Sequence, residues 1–314
     1  RYQTRPPICA SGFAIFLACT LVSDLCCSLR AGGALQIRKR HIAYPTCRRK
    51  YGCTFAVCFA FDSCLQEGSC SWKSQQSATQ GHWIITDDCE GDIKRPVFGV
   101  DGGTVALNSR TPSVTKRAVS GVPGAYLFNN ALTREECKRF MEVAEKLGFM
   151  GYSPRGDTTL LNCQIMVGDD VTQQIFQRFA KHIPVGMQGK SAIGFNGRWR
   201  VYKYCVNDTF TPHVDGGWPY QGLNVETGGI TQLMTPATYS QMTCLLYLND
   251  DFKGGNTTFF RPGWNPQWQI SAQVSPMQGT ALCFFHGDHP DSPRHEGSPV
   301  LHGVKYVIQT DLIF

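Results

Sequence analysis

In the stretch FTPHVDGGWP, His213 and Asp215 stand two residues apart, behind a proline and ahead of a glycine pair. On an extended chain, residues i and i+2 share a face, with Cα atoms about 6–7 Å apart. An imidazole and a carboxylate placed this way can grip one metal ion from the same side. His-x-Asp also marks ordinary solvated turns, so the pair needs a third ligand from elsewhere. The C-terminal half offers His286, His289, His295 and His302. Two imidazoles and one carboxylate can hold one face of a divalent transition metal and leave other coordination positions open. A second chemical signal is Lys305, inside the apolar run VKYVIQTDLIF. An ammonium facing a protein interior is costly unless an anion answers it.

The elements that must position these groups are readable from pattern. Short runs rich in β-branched and aromatic residues begin near Trp199: WRVYKYC, QMTCLLYLND, NTTFFR, WQISAQV, GTALCFF and VKYVIQTDLIF. Gly, Pro, Asn and Asp separate them, which reads as strands and turns. Too few helical segments lie between them for βαβ units, so an antiparallel sandwich or barrel is expected. Upstream, Thr133 followed by Glu136 is a capping box. Cys137, Phe140, Met141, Ala144 and Leu147 recur at helical spacing, and Gly148 can end that helix. A second helix is predicted over about 170–183, with Val171, Ile175, Phe176 and Phe179 on one face and Pro184 as the stop. The architecture expected is mainly β with flanking α-helices, a jelly-roll core supported by N-terminal helices. Gly254-Gly255 reads as a tight turn. The 216–241 stretch reads as a long insertion with the proportions of a lid, in which Trp218 and Tyr220 are either substrate-stacking groups or anchors.

Composition separates the chain into two parts. At 314 residues, 42% hydrophobic and 17% charged, it can build a sizeable core and is not globally disordered. Nine of its 30 Lys/Arg but only one of its 24 Asp/Glu lie in residues 1–60. The net charge of +6 therefore belongs to that segment. Its runs RKRH and CRRK are the only nucleic-acid or anionic-lipid signal, and not a firm one. Ten of the 15 cysteines fall between positions 9 and 89. Their spacing fits a small disulfide-bonded module better than any zinc site. The apolar run GFAIFLACTLV at 12–22 has the length of a signal-peptide core or N-terminal anchor, and no other stretch is long enough to span a bilayer. With the sequons at Asn207 and Asn256, this favours the secretory pathway over the cytoplasm. Residues 1–119 are read as a Cys-rich basic segment plus a poorly ordered linker, and 120–314 as the folded domain that holds the candidate metal ligands.

Several stretches carry a family likeness: VPGAYLFNNALTREEC, YKYCVNDTFTPHVDG, TCLLYLNDDFKGGNTTFF, VSPMQGTALCFFHG and HEGSPVLHGVKYVIQTDLIF. From about Ser120 to Phe314 the sequence resembles the Fe(II)/2-oxoglutarate dioxygenase domain of prolyl 4-hydroxylases. The resemblance implies His213, Asp215 and His295 as metal ligands. It also implies Lys305, ten residues after His295, as the group that grips the far carboxylate of 2-oxoglutarate. Tyr204 and Thr243 match positions lining the cosubstrate pocket, where a phenol or hydroxyl can bond a carboxylate. His302-Gly303 then reads as a turn, and His286 and His289 as exposed residues of the polar loop HGDHPDSPR. The implied cofactors are Fe(II), 2-oxoglutarate, dioxygen and ascorbate. The implied reaction hydroxylates an unactivated C–H bond of a prolyl or other protein side chain, releasing succinate and CO2. Two alternatives remain: an oxidative demethylase of alkylated nucleic acid, and a non-enzymatic jelly-roll binding module.

Overall fold

The computed structural model describes residues 75–76, 83–90, 93–109, 113–152, 160–224, 229–233, 239–263 and 268–314. All belong to one compact unit, Gly68–Phe314. The apolar run at 12–22, the basic runs at 38–50 and nine of the ten N-terminal cysteines lie outside the described residues. Among the described residues, no helix is long and apolar enough to cross a membrane.

Two sheets make the body. The larger runs, neighbour to neighbour, through Ile93–Val100, Leu160–Val167, Arg198–Tyr204, Lys305–Ile313, Ser240–Tyr247, Ala281–Phe285 and Ala125–Asn129. A four-stranded sheet orders Phe210–His213, Arg294–Gly297, Thr257–Pro262 and Trp268–Val274. Along a strand, alternate residues face opposite sides, and the large sheet uses both. One side, carrying Ile165, Trp199, Val201, Cys244, Ile308 and Leu312, packs with the helices into one core. The other, carrying Tyr202, Tyr204, Tyr247, Leu282, Phe284 and Val307, packs against Phe259 and Val274 of the small sheet. The result is a mainly β jelly roll with few helices.

The two helices buttress the outer side. Helix α1 is Arg134–Leu147, and its capping box forms in full: Glu136 N donates to Thr133 Oγ1, and Thr133 N donates to Glu136 Oε2. Helix α2 is Asp169–Phe179, shorter than the sequence predicts, followed by a 3₁₀ turn over Ala180–His182. Ile183 is extended (ψ 132°), as the residue before a proline must be to avoid the pyrrolidine ring. Arg178 of α2 grips Glu136 of α1 through two bonds of 2.8 Å each, both side chains almost fully buried. Burial alone would raise the Glu136 carboxyl, but Arg178 and the backbone donors of Thr133 and Asn108 outweigh it and hold it low.

Two stretches differ from the sequence reading. Ile93–Val100, inside the segment read as linker, is a strand of the large sheet, paired in parallel with Leu160–Val167, and Val97, Val100 and Val105 are buried. The insertion after Asp215 folds back on itself as a hairpin, Tyr220–Asn224 against Gly229–Leu233.

Candidate metal and cosubstrate site

His213 ends one strand and His295 sits directly opposite on its antiparallel neighbour. That register brings the two rings to a centroid separation of 4.3 Å. Asp215 lies just past the strand end, in the following loop, and turns back between them. Its Oδ1 is 3.3 Å from His213 Nε2, and its Oδ2 is 3.5 Å from His295 Nε2. One ligand atom from each of His213, Asp215 and His295 falls within 4.8 Å of the others.

Both imidazoles are aimed by the same device. His213 Nδ1 meets the carbonyl of Thr211 at 2.8 Å, and His295 Nδ1 meets the carbonyl of Pro293 at 3.2 Å. A carbonyl only accepts, so each Nδ1 carries a proton, and each Nε2 is the nitrogen turned toward Asp215. Phe210 stacks on His213 at 4.4 Å and Phe284 meets the His295 ring at 4.6 Å, which closes off other rotamers. Burial would push the Asp215 carboxyl up. The His295 and His213 imidazoles and the Thr243 hydroxyl overcome this and hold it far below the usual carboxylate range. A carboxylate flanked by two imidazoles is a donor set suited to a divalent transition metal.

The same cleft continues to Lys305. It encloses about 400 Å³ of space, solvent at its mouth included, and is lined by His213 and His295 together with Tyr202, Tyr204, Phe210, Leu245, Thr257, Lys305 and Val307. Lys305 is 2% exposed. Its ammonium donates to the Gly255 carbonyl at 2.7 Å and lies 4.9 Å from the Tyr204 ring centroid and 5.8 Å from that of Tyr247. Burial pulls its pKa down to about 7. Among the described residues no carboxylate forms an ion pair with it. Tyr204 is its cross-strand partner and lines the same cleft.

Thr243 is placed differently from expectation. It does not line the cleft; its hydroxyl donates to Asp215 Oδ2 at 2.7 Å from behind. The threonine that does line the cleft is Thr257, its hydroxyl bonded to Tyr247 Oη at 2.8 Å. His286, expected to be exposed, is 1% exposed. It continues the alternation of Leu282 and Phe284 one residue past the strand, and the polar loop begins only at Gly287, where φ is +62°. The sequence carries that signal in the alternation itself. His302 is exposed beside Gly303 (φ +81°), and His289 is half-buried with its ring flat on Phe285. Tyr220 donates to Asp169 and is an anchor, whereas Trp218 stays 44% exposed with the Arg200 guanidinium over its ring.

Comparison with known proteins follows this geometry. Residues 199–310 match the model of the 2OG-Fe(II) oxygenase superfamily. Two Arabidopsis thaliana proteins, a probable prolyl 4-hydroxylase 6 and a probable prolyl 4-hydroxylase 7, are 25% and 23% identical over 215 residues. The match spans 60% of this chain in both cases, and 68% and 62% of the relatives. A viral collagen prolyl hydroxylase from Paramecium bursaria Chlorella virus-1 aligns at 16% identity with a TM-score of 0.40, over 60% of this chain and 95% of that one. The match over residues 199–310 and these relatives together support an enzyme of the 2OG-Fe(II) oxygenase type, prolyl 4-hydroxylase-like in kind.

Proposed function

We propose that this oxygenase hydroxylates an unactivated C–H bond of a peptide, with a prolyl side chain as the first candidate. The observation that carries the reading is one cleft with a His-Asp-His cluster at one end and, at the other, a buried lysine that no carboxylate among the described residues pairs with. The residues fit the group the family implies. His213, Asp215 and His295 would hold Fe(II), and Lys305 would take the far carboxylate of 2-oxoglutarate. When bound, iron and cosubstrate supply the oxidising chemistry: dioxygen and 2-oxoglutarate are consumed, one oxygen atom enters succinate as CO2 leaves, and the other becomes the substrate's hydroxyl.

The chain's own residues have simpler tasks. The ammonium of Lys305 supplies positive charge where a carboxylate arrives, in surroundings that magnify the attraction. Phe210, Leu245 and Val307 keep water from the space between lysine and metal ligands. The peptide substrate is supported by the names of the Arabidopsis relatives, and ascorbate enters as the reductant that keeps iron divalent. A nucleic-acid demethylase is disfavoured, because the family likeness gives those enzymes an arginine at the position of Lys305.

The test is direct. The purified protein with Fe(II), ascorbate, 2-oxoglutarate and a proline-rich peptide should form succinate, and the peptide should gain the mass of one oxygen atom. Succinate without peptide oxidation over a panel of proline peptides would remove the prolyl substrate and keep the oxygenase. No succinate at all would remove the reaction.

A further inference from the structure

Behind the metal ligands lies a buried polar chain. Trp218 N donates to Ser240 Oγ at 2.8 Å, and Ser240 Oγ is 2.9 Å from His286 Nε2. On the other side of the ring, His286 Nδ1 is 2.9 Å from Thr243 Oγ1, which donates to Asp215 Oδ2 at 2.7 Å. Ser240, Thr243 and His286 are 5%, 0% and 1% exposed. Backbone bonds run alongside: His286 N donates to the Gln241 carbonyl and Gly287 N to the Asp215 carbonyl.

The Asp215 end decides where one proton of the ring sits. An ionised carboxylate only accepts, so Thr243 spends its single hydroxyl proton on Asp215 and must accept from His286. That puts a proton on Nδ1. A backbone N–H only donates, so Ser240 accepts from Trp218 through one lone pair and keeps a second lone pair and its own proton for the contact with His286 Nε2. The Asp311 carboxyl, 3.6 Å from Nδ1, favours a proton on that same nitrogen.

We propose that His286 is a positioning residue of the metal centre, acting on Asp215 through Thr243. It holds the Thr243 hydroxyl turned toward Oδ2, which leaves Oδ1, the oxygen beside His213 Nε2, to face the metal. Through Ser240 it ties that orientation to the loop bearing Trp218. The proposal rests on the metal-ligand reading above.

Two measurements test it. In the metal-free protein, ¹⁵N NMR should show a proton on His286 Nδ1; a ring protonated on Nε2 alone overturns the proposal. In the second, Co(II) affinity and the Co(II) absorption spectrum are followed in variants, with thermal unfolding alongside. His286→Asn keeps a donor where Nδ1 was and should stay within about threefold of wild type. His286→Gln keeps only the Ser240 side and, like Thr243→Val, should lose roughly 10–100-fold in affinity with an altered spectrum. The Thr243→Val/His286→Gln double variant should be no worse than either single change, because both cut one path. A folded His286→Gln protein with wild-type Co(II) affinity and spectrum overturns the proposal, as do additive losses in the double variant. Should His213→Ala bind Co(II) as well as wild type does, the ligand assignment itself fails, a result distinct from failure of the His286 link alone.

Discussion

The two ends of the cleft are built on opposite principles. At the metal end the fold has already provided for the ligands: each imidazole has a carbonyl behind it, and Asp215 has a hydroxyl behind it. At the other end the fold holds a buried ammonium with one carbonyl and two ring faces for company. The first end is preorganised by hydrogen bonds that already aim its ligands. The second keeps an unfavourable charge that only an arriving anion relieves. The contrast teaches that metal affinity here is a property of the fold, while cosubstrate affinity is a property of one desolvated charge.

The strongest way to break the metal end is to remove a ligand. His213→Ala or Asp215→Ala should lower Fe(II) or Mn(II) affinity more than 100-fold, beyond the roughly 10–100-fold typical of groups behind the ligands. Succinate formation should disappear. Isothermal titration with Mn(II) reads the first effect without any turnover. Asp215→Ala should also cost stability, about 1–3 kcal/mol, because the buried Thr243 hydroxyl loses its acceptor.

Next in size is the charge itself. Lys305→Ala should weaken 2-oxoglutarate binding by about 10–100-fold, the loss of a charge-assisted contact worth about 1.5–3 kcal/mol. Mn(II) affinity should not move. Lys305→Arg should recover only part, since a planar fork replaces a compact ammonium. Unlike a lost ligand, a lost lysine should not destabilise the free protein. Its pKa is pulled from 10.5 to about 7, so the unfolded chain binds the extra proton between those limits and stability rises with pH across that window. Below pH 7 the cost of the buried charge is present in full. Lys305→Met should therefore raise the melting temperature at pH 7, and the gain over wild type should shrink by pH 10. A melting temperature that falls instead would show the ammonium to be compensated.

How legible was all this? Helix α1 was legible down to its cap, because Thr133 and Glu136 act locally and a three-residue spacing states the geometry. What it concealed is that Glu136 also meets Arg178 across 42 residues, a distance at which spacing says nothing. The convergence of His213, Asp215, His295 and Lys305 was readable as an ordered set of motifs. Thr243 matches a cosubstrate-pocket position by resemblance, but its place behind Asp215 depends on strand register, which spacing does not state. His286 was misread because composition described the loop after it, whereas alternation described the strand before it. The strand at 93–100 was passed over for a similar reason: a single short segment with Pro96 in it gains its pairing from Trp83–Glu90 on one side and Leu160–Val167 on the other, not from its own pattern.

A titration sharpens the comparison further. At pH 8 the free cleft holds Lys305 largely neutral, since its pKa is about 7. A bound dianion stabilises the ammonium and draws a proton onto it. Binding of 2-oxoglutarate should take up close to one proton at pH 8 and almost none at pH 6. Calorimetry in buffers of different ionisation enthalpy counts that proton. The count at pH 8 should vanish in Lys305→Met, and Mn(II) binding alone should not show it.

The smallest effect expected comes from the carbonyl that Lys305 does have. Gly255 has φ +64°, and a Cβ there would meet Lys305 Cδ and Val300 Cγ2 at 3.2 Å and Phe252 Cε2 at 2.9 Å. Gly254, with φ +76°, would put its Cβ 2.5 Å from the Pro299 carbonyl, with no lysine atom among its nearest neighbours. Both alanine variants place a side chain in left-handed backbone, a cost of about 1–2 kcal/mol each, and both should lower the melting temperature. Only Gly255→Ala presses on the lysine stem and displaces the carbonyl that orients the ammonium. It should therefore raise the Kd for 2-oxoglutarate severalfold, while Gly254→Ala, though at least as destabilised, should leave that Kd nearly unchanged. Equal losses of 2-oxoglutarate affinity in the two variants would mean that the turn acts through stability alone, and that the Gly255 carbonyl does not aim the charge.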